Sequence, residues 1–404
     1  MEGIPITKPY FDGMEIDEIK KTLDSGWVAQ GPKAALFEEM VSAHEGIAYG
    51  VSSTSCTTAL QLAIRALGVG RGNDVILPSF TFIATANAVV CEGAVPVLVD
   101  ICPESFTMSI EGLKEVISRY KKVRGSLINT ISGNVLKLII PVHLFGLCAN
   151  MPEINRIAEE NGLSVLEDSA CALGSKIGGK HQGSFGNMSC LSFHPRKSIT
   201  TGEGGMVLTD NLVLAEKLRS LRNHGAAVSG YERHGGADKG SLLPEYNEHG
   251  YNFRMTDIQA AMGIAQMNKL DYILSERKKK AAYYDRLLEP VKALKIPSAP
   301  DGYGHTYQSY VCLVNIGSVG SMEQAENLRD GAMRALAGQN ISTRVGTHAV
   351  HNTGYYKKRF RFRRESFPVA DMCERLSIAL PLFVQMTNME QELVASILSG
   401  FFNG

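Results

Sequence analysis

Short, continuously apolar runs recur through about the first 250 residues, separated by amphipathic stretches. The clearest are Asp74–Pro78, Val95–Asp100, Lys137–Val142 and Leu163–Asp168. Each is bounded by turn residues, and its hydrophobicity is continuous rather than alternating. This pattern is typical of parallel strands covered on both faces. Strands that alternate with helices in this way predict a large α/β domain.

Capping residues mark the ends of several predicted helices. Residues 151–160 follow Asn150 as N-cap, carry Pro152 and Glu153 in the first turn, and stop before Gly162. A helix over 59–67 is expected after the hydroxyl-rich run 52–58. Further on, Thr256 is expected to cap a helix over 256–270 that runs into a longer, more charged helix over 271–288. In that second helix the lysine run 278–280 indicates a solvated face.

The pattern changes after Pro290, where proline and glycine precede a predicted strand over 307–315. Helices are expected near 321–338, 367–379 and 389–401. We therefore predict a large α/β domain with an N-terminal arm over 1–255, a long linking helix over 256–290 and a smaller α+β domain over 291–404.

Length and composition narrow the classes of protein. The chain has 404 residues, is 44% hydrophobic and carries a formal net charge of zero. It is long enough for two or three domains, and its neutral balance argues against nucleic acid as a partner. It shows no 18-residue apolar run and no signal pattern, so we expect no membrane span and a cytoplasmic location. The eight cysteines are scattered without a CxxC pair, which argues for reduced thiols and against a disulfide framework or a metal site.

Asp168 and Lys197 are the first candidates for chemistry. Asp168 ends an apolar strand, and ligands bind at the carboxyl ends of strands in open α/β sheets. Lys197 follows a glycine-rich loop and a further predicted strand over 188–193. Asp168 could instead cap the next turn, and the two residues could form a structural ion pair. They could also serve the two ends of one cofactor.

Pyridoxal phosphate is a cofactor that requires the last of these arrangements, in which a carboxylate and a lysine serve its two ends. Its aldehyde needs a lysine amine, its ring nitrogen needs a carboxylate, and its phosphate needs free amides and hydroxyls at a helix N-terminus. The hydroxyl-rich run 52–58 offers the third feature, although by itself it could be an ordinary N-cap. A P-loop is excluded because neither TGEGG (201–205) nor GGKH (178–181) completes GxxxxGK[ST]. Thr200–Gly205 is expected to form a tight turn that lets another backbone segment pass close by, before a strand over 206–209. No role is assigned to Glu203.

The candidate residues lie in a series of sequence segments that extends over nearly the whole chain in a fixed order. The segments are SGWVAQGP (25–32), residues 55–89, PVHLFG (141–146), LEDSACALGS (166–175), SFHPRKSITTGEGG (192–205), GYNFRMTDIQAAMGIAQ (250–266) and FPVADMCERLSIALPLF (367–383). Together they resemble the DegT/DnrJ/EryC1/StrS family of pyridoxal-phosphate-dependent sugar aminotransferases. The resemblance implies fold type I (aspartate aminotransferase-like), with a large, mainly parallel-sheet domain and a smaller α+β C-terminal domain.

The resemblance also implies roles for the cofactor-binding residues. Lys197 would form the internal aldimine and move the proton between Cα and C4′, and Asp168 would pair with the ring nitrogen. The phosphate would be bound by the amides of Thr57 and Thr58 and by the Ser192 hydroxyl. We expect partial burial and the cofactor to lower the pKa of Lys197, which in a free lysine is ~10.4.

Other positions extend or depart from the family pattern. Phe82 would stack on the cofactor ring, and Asn252 would reach the phosphate of the neighbouring subunit, which implies a homodimer with shared active sites. Many family members carry Gln or His at the position of Cys171, near the 3′-hydroxyl of the cofactor. Because a thiol hydrogen-bonds weakly, that contact is either lost or made by another group.

Several residues have competing interpretations. His143 is expected either as a hydrogen-bonded core histidine or near the cofactor, and His194 either as a direct contact or as a support behind it. In the small domain, Arg344, His348 and His351 lie where the family usually places substrate-facing residues. The basic run 357–364 is expected to be solvated, with steering of a diphosphate substrate and membrane-surface contact as alternatives.

The implied reaction is the transfer of an amino group from an amino acid, expected to be L-glutamate, to a keto carbon of a nucleotide-linked, 6-deoxy sugar through pyridoxamine phosphate. The product would serve a cell-surface polysaccharide or a glycosylated natural product. A pyridoxamine-dependent sugar dehydratase of the same fold would carry histidine in place of Lys197. A catalytically silent regulatory homologue would have no need to keep Lys197, Asp168 and Asn252 together.

Overall fold

Strands and helices alternate through the first half of the chain, as the apolar runs predict. The structure is a computed structural model that describes residues 3–227 and 245–403. Its strands in those ranges are β1 Tyr49–Ser53, β2 Asn73–Pro78, β3 Val95–Val99, β4 Tyr120–Val123, β5 Ser126–Asn129, β6 Val135–Ile139, β7 Ser164–Asp168, β8 Lys176–Ile177, β9 Lys180–His181, β10 Met188–Ser192, β11 Gly205–Thr209, β12 Leu294–Lys295, β13 Tyr303–Gly304, β14 Tyr310–Val314 and β15 Ser377–Leu380.

The helices flank these strands and dominate the C-terminal part. They are α1 Met14–Ser25, α2 Pro32–Glu45, α3 Cys56–Ala66, α4 Ile83–Cys91, α5 Ile110–Ser118, α6 Met151–Asn161, α7 Leu212–Arg222, α8 Asp257–Met267, α9 Leu270–Leu288, α10 Ile316–Val319, α11 Met322–Gly338, α12 Gly354–Phe360, α13 Pro368–Leu376 and α14 Asn388–Asn403. Short 3₁₀ turns lie at Val350–Asn352 and Arg364–Ser366.

Within the described ranges the large sheet has nine strands and a main path in the order β1-β11-β10-β7-β6-β2-β3, with β4 and β5 added beside β6. The strands from β10 to β3 along this path are parallel. Strand β11 is antiparallel to both β10 and β1, so β1 runs in the same direction as β10. The carboxyl ends of β1, β2, β7 and β10 therefore lie along one edge of the sheet.

Both faces of this sheet are covered by apolar side chains. In β2, Val75 and Leu77 join the core that contains α3 and α4, whereas Ile76 between them joins the core formed with α5 and α6. Successive side chains of a strand point to opposite faces, so two covered faces require a continuous apolar run. The predicted strands that became β2, β3, β6 and β7 are confirmed for this reason.

Capping residues confirm most of the predicted helix boundaries. Asn150 accepts from the Glu153 amide at the start of α6, and Gly162 ends that helix in the left-handed region at φ 64°. Thr256 and Gln259 form a capping box at the start of α8. The expected start of α3 at residue 59 was wrong, since this helix begins at Cys56. The small hydroxyl residues therefore include the first turn of the helix rather than only the loop before it.

The C-terminal part has its own three-stranded sheet, in the order β12-β14-β15. The helix expected over 367–379 ends at Leu376, because Ser377–Leu380 pairs with β14 as a strand. The N-terminal arm contacts this part of the molecule, with the Ile4 amide donating to the Asn340 carbonyl at 2.9 Å. A third small sheet, β13-β8-β9, joins Tyr303–Gly304 to the strands near residue 180.

Candidate active site

The candidate residues converge at the carboxyl edge of the large sheet. Asp168 is the last residue of β7, Ser192 the last of β10, and the loop after β10 carries Lys197. The N-terminus of α3 lies at the same edge because it follows β1. Parallel strands bring their carboxyl ends together, which is why segments distant in sequence meet here.

The Asp168 carboxylate is buried and held by two donors. Thr85, from the first turn of α4, donates its hydroxyl to Oδ2 at 2.6 Å, and the Ala170 amide donates to Oδ1 at 3.2 Å. Burial raises the pKa of Asp168 above its usual value, while Thr85, Ala170 and the charge of Lys197 act in the opposite direction. Asp168 is thus a carboxyl group whose charged form depends on these few partners.

Lys197 lies in a tight turn, where its amide donates to the His194 carbonyl at 2.8 Å. Its Nζ lies 3.1 Å from the Sγ of Cys171. Burial acts to lower the pKa of Lys197, but Cys171, Cys56 and Asp168 together outweigh burial, so the pKa is raised. The expected lowering of the Lys197 pKa by burial and the cofactor together stays a prediction, since the protein groups by themselves act in the opposite direction. A reactive, neutral amine at this position requires the charge or bonding of the cofactor.

The N-terminus of α3 presents amides toward the same space. Ser55 is the N-cap and accepts from the Thr58 amide at 3.2 Å, while the Thr58 hydroxyl accepts from the Ser55 amide at 3.0 Å. The Thr58 amide is therefore already used in the cap. The amides of Cys56 and Thr57 belong to the first turn, where no helix carbonyl can accept from them. Together with the positive end of the helix dipole they suit a phosphate group.

The loop that carries Lys197 returns beside this helix through Gly205. A Cβ at position 205 would lie 2.4 Å from the carbonyl carbon and oxygen of Ser55. Gly202 in the preceding turn has φ +79°, and the Thr201 hydroxyl donates to the Glu203 carbonyl at 2.8 Å. The expected tight turn with close backbone approach is confirmed, and it brings the Lys197 loop against the α3 N-terminus.

These groups surround one cavity of about 580 Å³. The candidates that line it are Thr57, Phe82, Asp168, Cys171, Ser192, His194, Lys197 and Arg344. Phe82, at the N-cap of α4, is 61% exposed, so an aromatic face is available to a ligand in the cavity. The opposite wall comes from the C-terminal part, through Arg344, Gly346 and Thr347.

Other candidates lie outside the cavity lining. His351 is buried against Phe367, with a ring-centroid separation of 4.8 Å, and burial lowers its pKa. The His348 side chain is about half exposed, and its Nδ1 lies 4.0 Å from Glu374. Asn252 is exposed on the described surface. His143 is a buried core histidine that contacts Glu167 Oε2 at 2.8 Å and accepts from the Ala149 amide.

Sequence reasoning missed several residues that line the cavity. Thr85 is one, and Arg196 and Gln308 are two others; the Gln308 side chain donates to the Arg196 carbonyl at 2.7 Å. Thr85 could have been flagged as a hydroxyl in the first turn of the helix that follows Phe82. Arg196 could have been flagged because it directly precedes Lys197. Gln308 carries no sequence signal, because its proximity depends on how the C-terminal part meets the sheet edge.

The donor set fits pyridoxal phosphate. A buried carboxylate suits a protonated ring nitrogen, a primary amine suits the aldehyde, and a helix N-terminus with neighbouring hydroxyls suits the dianionic phosphate. Asp168, Lys197 and Thr57 line the same cavity, so one small molecule can contact all three. Sheet order and site together define a pyridoxal-phosphate-dependent aminotransferase of fold type I.

Comparison with known proteins agrees with this class. The sequence profile of the DegT/DnrJ/EryC1/StrS aminotransferase family matches residues 9–399, and the chain belongs to that family. It is 35% identical over 385 residues to the uncharacterized protein MJ1066 of Methanocaldococcus jannaschii, covering 95% of this chain and 94% of that protein.

Two further relatives are informative. The chain is 32% identical to the spore coat polysaccharide biosynthesis protein SpsC of Bacillus subtilis over 402 residues, covering 99% of this chain and 97% of SpsC. Its structure resembles the PLP form of the putative sugar aminotransferase Spr1654 from Streptococcus pneumoniae, with a TM-score of 0.87, 26% identity and 99% coverage of both chains. In the part of the chain that the structure describes, no helix is both long and apolar enough to cross a bilayer.

Proposed function

We propose that this aminotransferase moves an amino group from L-glutamate to a keto carbon of a nucleotide-linked 6-deoxy sugar. The observation that carries the proposal is the single cavity in which Lys197, Asp168 and the α3 N-terminus meet residues of the C-terminal part. Its volume of about 580 Å³ is in the range of pockets that enclose a whole small ligand. The names of SpsC and Spr1654 support a sugar acceptor, with surface polysaccharide as the pathway class.

The residues that would hold the cofactor follow from the donor set. Asp168 would pair with the ring nitrogen, Lys197 would bond to the aldehyde carbon, and Thr57 and Ser192 would contact the phosphate. Phe82 would cover one face of the ring. When bound, pyridoxal phosphate withdraws electrons from the substrate carbon and carries the amino group between donor and acceptor.

The protein groups then have distinct tasks. Asp168 must remain ionised, and Thr85 and Ala170 oppose the effect of burial on its pKa. The Lys197 amine would move a proton to and from the substrate carbon, because it reaches the cavity from the loop directly after β10. Cys171 would orient that amine, since its sulfur lies 3.1 Å from Nζ. Thr58, whose amide donates to the N-cap residue Ser55, would support the phosphate site by holding the start of α3.

The test is an amine-transfer assay on purified protein reconstituted with pyridoxal phosphate. L-Glutamate alone should bleach the visible absorbance of the bound cofactor. A panel of 3-keto and 4-keto nucleotide sugars should then show a keto-to-amine mass change in one member by mass spectrometry. No bleaching by L-glutamate, or no aminated sugar nucleotide across the panel, would reject the proposal.

The Lys197→Ala variant tests the role of the lysine, and an exposed lysine elsewhere provides the matched control. The Lys197→Ala variant should lose the visible band and reduce turnover about a hundredfold to ten-thousandfold, the range for loss of a positioned acid or base. Lys292 is an exposed lysine whose Nζ lies beside Glu289, and the Lys292→Ala variant should leave both unchanged.

A further inference from the structure

Two arginines face the cavity from different parts of the molecule. Arg196 immediately precedes Lys197 in the loop after β10. Arg344 lies in the C-terminal part, where its carbonyl accepts from the Ala379 amide at 2.7 Å beside β15. Both residues line the cavity, and both are exposed rather than packed into the core.

In the part of the chain that the structure describes, neither guanidinium has an acidic partner. Among the described residues, no carboxylate oxygen lies within 4 Å of Arg196 or Arg344, and neither side chain makes a hydrogen bond. Elsewhere Arg375 contacts Glu326 and Arg222 contacts Glu38. The two cavity arginines therefore keep all their side-chain donors free for a ligand.

The two charges are close enough to affect each other. Burial, and then the like charge of Arg344, lower the pKa of Arg196. Two like charges facing a shared space destabilise one another, and an anion between them reverses that effect. Guanidinium groups bind carboxylate and phosphate through two parallel hydrogen bonds, which a lysine cannot do.

We propose that Arg196 and Arg344 together bind an oxyanion of a substrate at the mouth of the cavity, next to Lys197. This inference rests on the proposed function and adds the part of the site that recognises charge. Because Arg196 is adjacent to Lys197 in the chain, an anion bound there fixes the substrate relative to the reacting amine. Arg344 belongs to the C-terminal part, so the same anion bridges the two sides of the cavity.

Both proposed substrates carry an oxyanion of this kind, as a carboxylate of the amino donor or as the diphosphate of the nucleotide sugar. Calorimetric titration of the cofactor-loaded enzyme with 2-oxoglutarate and with inorganic pyrophosphate separates them. Arg196→Gln and Arg344→Gln should each weaken the binding of one of these anions by about tenfold or more, as expected for a hydrogen bond to a charged group. The anion affected identifies the source.

A double variant tests whether the two arginines hold the same anion. Arg196→Gln with Arg344→Gln should weaken binding by less than the product of the single effects, because one loss already removes the bridge. Arg334, an exposed arginine on α11, provides the control. The Arg334→Gln variant should bind both anions as the unmodified enzyme does. Lysine variants at 196 and 344 keep the positive charge but lose the paired N–H donors of the guanidinium. Their affinities should lie between those of the unmodified enzyme and the glutamine variants.

Unchanged dissociation constants for both anions in both glutamine variants, with the cofactor absorbance intact, would overturn the inference. Independent, fully multiplicative effects would also overturn it, since they indicate two separate sites. If L-glutamate fails to bleach the unmodified enzyme, the proposed function fails first. If bleaching and amine transfer persist unchanged in both glutamine variants, only the anion site fails.

Discussion

At the scale of single residues, the charge on Asp168 is the most finely balanced feature of the site. Burial favours the neutral acid, whereas the Thr85 hydroxyl favours the carboxylate. Thr85 has one proton to donate, and the 2.6 Å contact with Asp168 is its shortest. Thr81, 3.1 Å away, is then the donor to Thr85. A line of two hydroxyls thus supports the charge that the cofactor ring requires.

We predict that Thr85→Val weakens cofactor binding by about tenfold, because it removes a hydrogen bond to a charged group at nearly constant volume. The pKa of Asp168 should rise further in this variant. Titration of the cofactor-free protein with pyridoxal phosphate, followed by visible absorbance, measures the dissociation constant.

Thr85→Ser is the matched control, since it retains the hydroxyl and should remain within about twofold of the unmodified protein. Equal affinities for the valine and serine variants would show that the hydroxyl does not support Asp168.

At the scale of elements, the approach of the Lys197 loop to the start of α3 depends on a residue without a side chain. Gly205, at the beginning of β11, pairs with Ser53 and Ser192. A Cβ there would meet the Ser55 carbonyl at 2.4 Å, a distance real Cβ atoms essentially never show. The contact is with backbone, so it cannot be relieved by a rotamer change.

Gly205→Ala should therefore displace the α3 N-terminus, lower the melting temperature and reduce cofactor retention. The expected destabilisation is about 1–3 kcal/mol, the usual effect of overpacking. Thermal unfolding with and without pyridoxal phosphate separates the loss of stability from the loss of binding.

Gly338→Ala provides the control for that substitution. Position 338 ends α11 with no atom within 4 Å of an added Cβ, and alanine has the higher helix propensity. It should be neutral or slightly stabilising. A Gly205→Ala protein that melts and binds cofactor like Gly338→Ala would contradict the close-approach argument.

The end of α2 contains a second buried carboxylate, that of Glu45. It accepts from the Gln182 side chain at 2.8 Å and from the Gly174 amide at 3.2 Å, in the segment that follows Asp168. His44 Nδ1 lies 2.7 Å from Glu45. The pKa of His44 is raised by this contact, although burial opposes it.

The sign of this shift predicts a pH-dependent stability. Protonated His44 stabilises the fold fully below its ordinary pKa of 6.5, and that contribution is lost as pH rises through the raised value. His44→Gln, which stays neutral, should lower the melting temperature by about 1–3 °C at pH 6 and by less at pH 9.

The matched comparison is His224→Asn, which removes an exposed imidazole at a position whose positive φ suits Asn. A His44→Gln deficit that is equal at both pH values, or larger at pH 9, would contradict a charged role for His44.

At the scale of the whole molecule, the position of Asn252 bears on assembly. It is exposed and does not line the cavity of its own chain, and it is the residue expected to reach the phosphate in a neighbouring subunit. A homodimer with shared sites would place Lys197 of one subunit beside Asn252 of the other.

Mixing inactive homodimers tests this arrangement. Lys197→Ala and Asn252→Ala proteins should each have low activity, and unfolding and refolding them together in equal amounts should restore about a quarter of the unmodified activity. Half of the dimers would then be mixed, each with one intact site. No recovery, despite mixed dimers seen by native mass spectrometry, would place both residues in the same site of a single chain.

Much of the fold could be predicted from the sequence because its central strands are continuously apolar runs and several of its helices carry explicit caps. Asn150, Gly162 and Thr256 each act locally, so their roles are visible without tertiary contacts. Among the elements that were not predicted, β8, β9 and β13 are two residues long and have no pattern of their own. They exist because the chain near residue 303 meets the chain near residue 177.

The candidate site also contains residues that the sequence predicted correctly and residues whose positions it did not predict. Lys197, Asp168 and the residues 55–57 at the start of α3 follow from residue type at strand and helix ends, and all of them reach the cavity. His348 and His351 were expected to face substrate, yet the described structure places both outside the cavity lining. Their positions depend on the turn at Val350–Asn352 and on Phe367, which sequence spacing does not determine.

The sequence by itself therefore determined the fold class through local periodicity and caps, and the cofactor through residue chemistry and the resemblance to a family. It also placed Asp168 and Lys197 at strand and loop positions from which they reach one cavity. Only the tertiary structure decided which groups set their charge and what else faces the cavity. Thr85 meets Asp168 across 83 residues of chain, and Arg196 and Arg344 line the same cavity from the two parts of the molecule. Such pairs arise from the packing of elements against one another, and packing leaves no periodic trace in the order of residues.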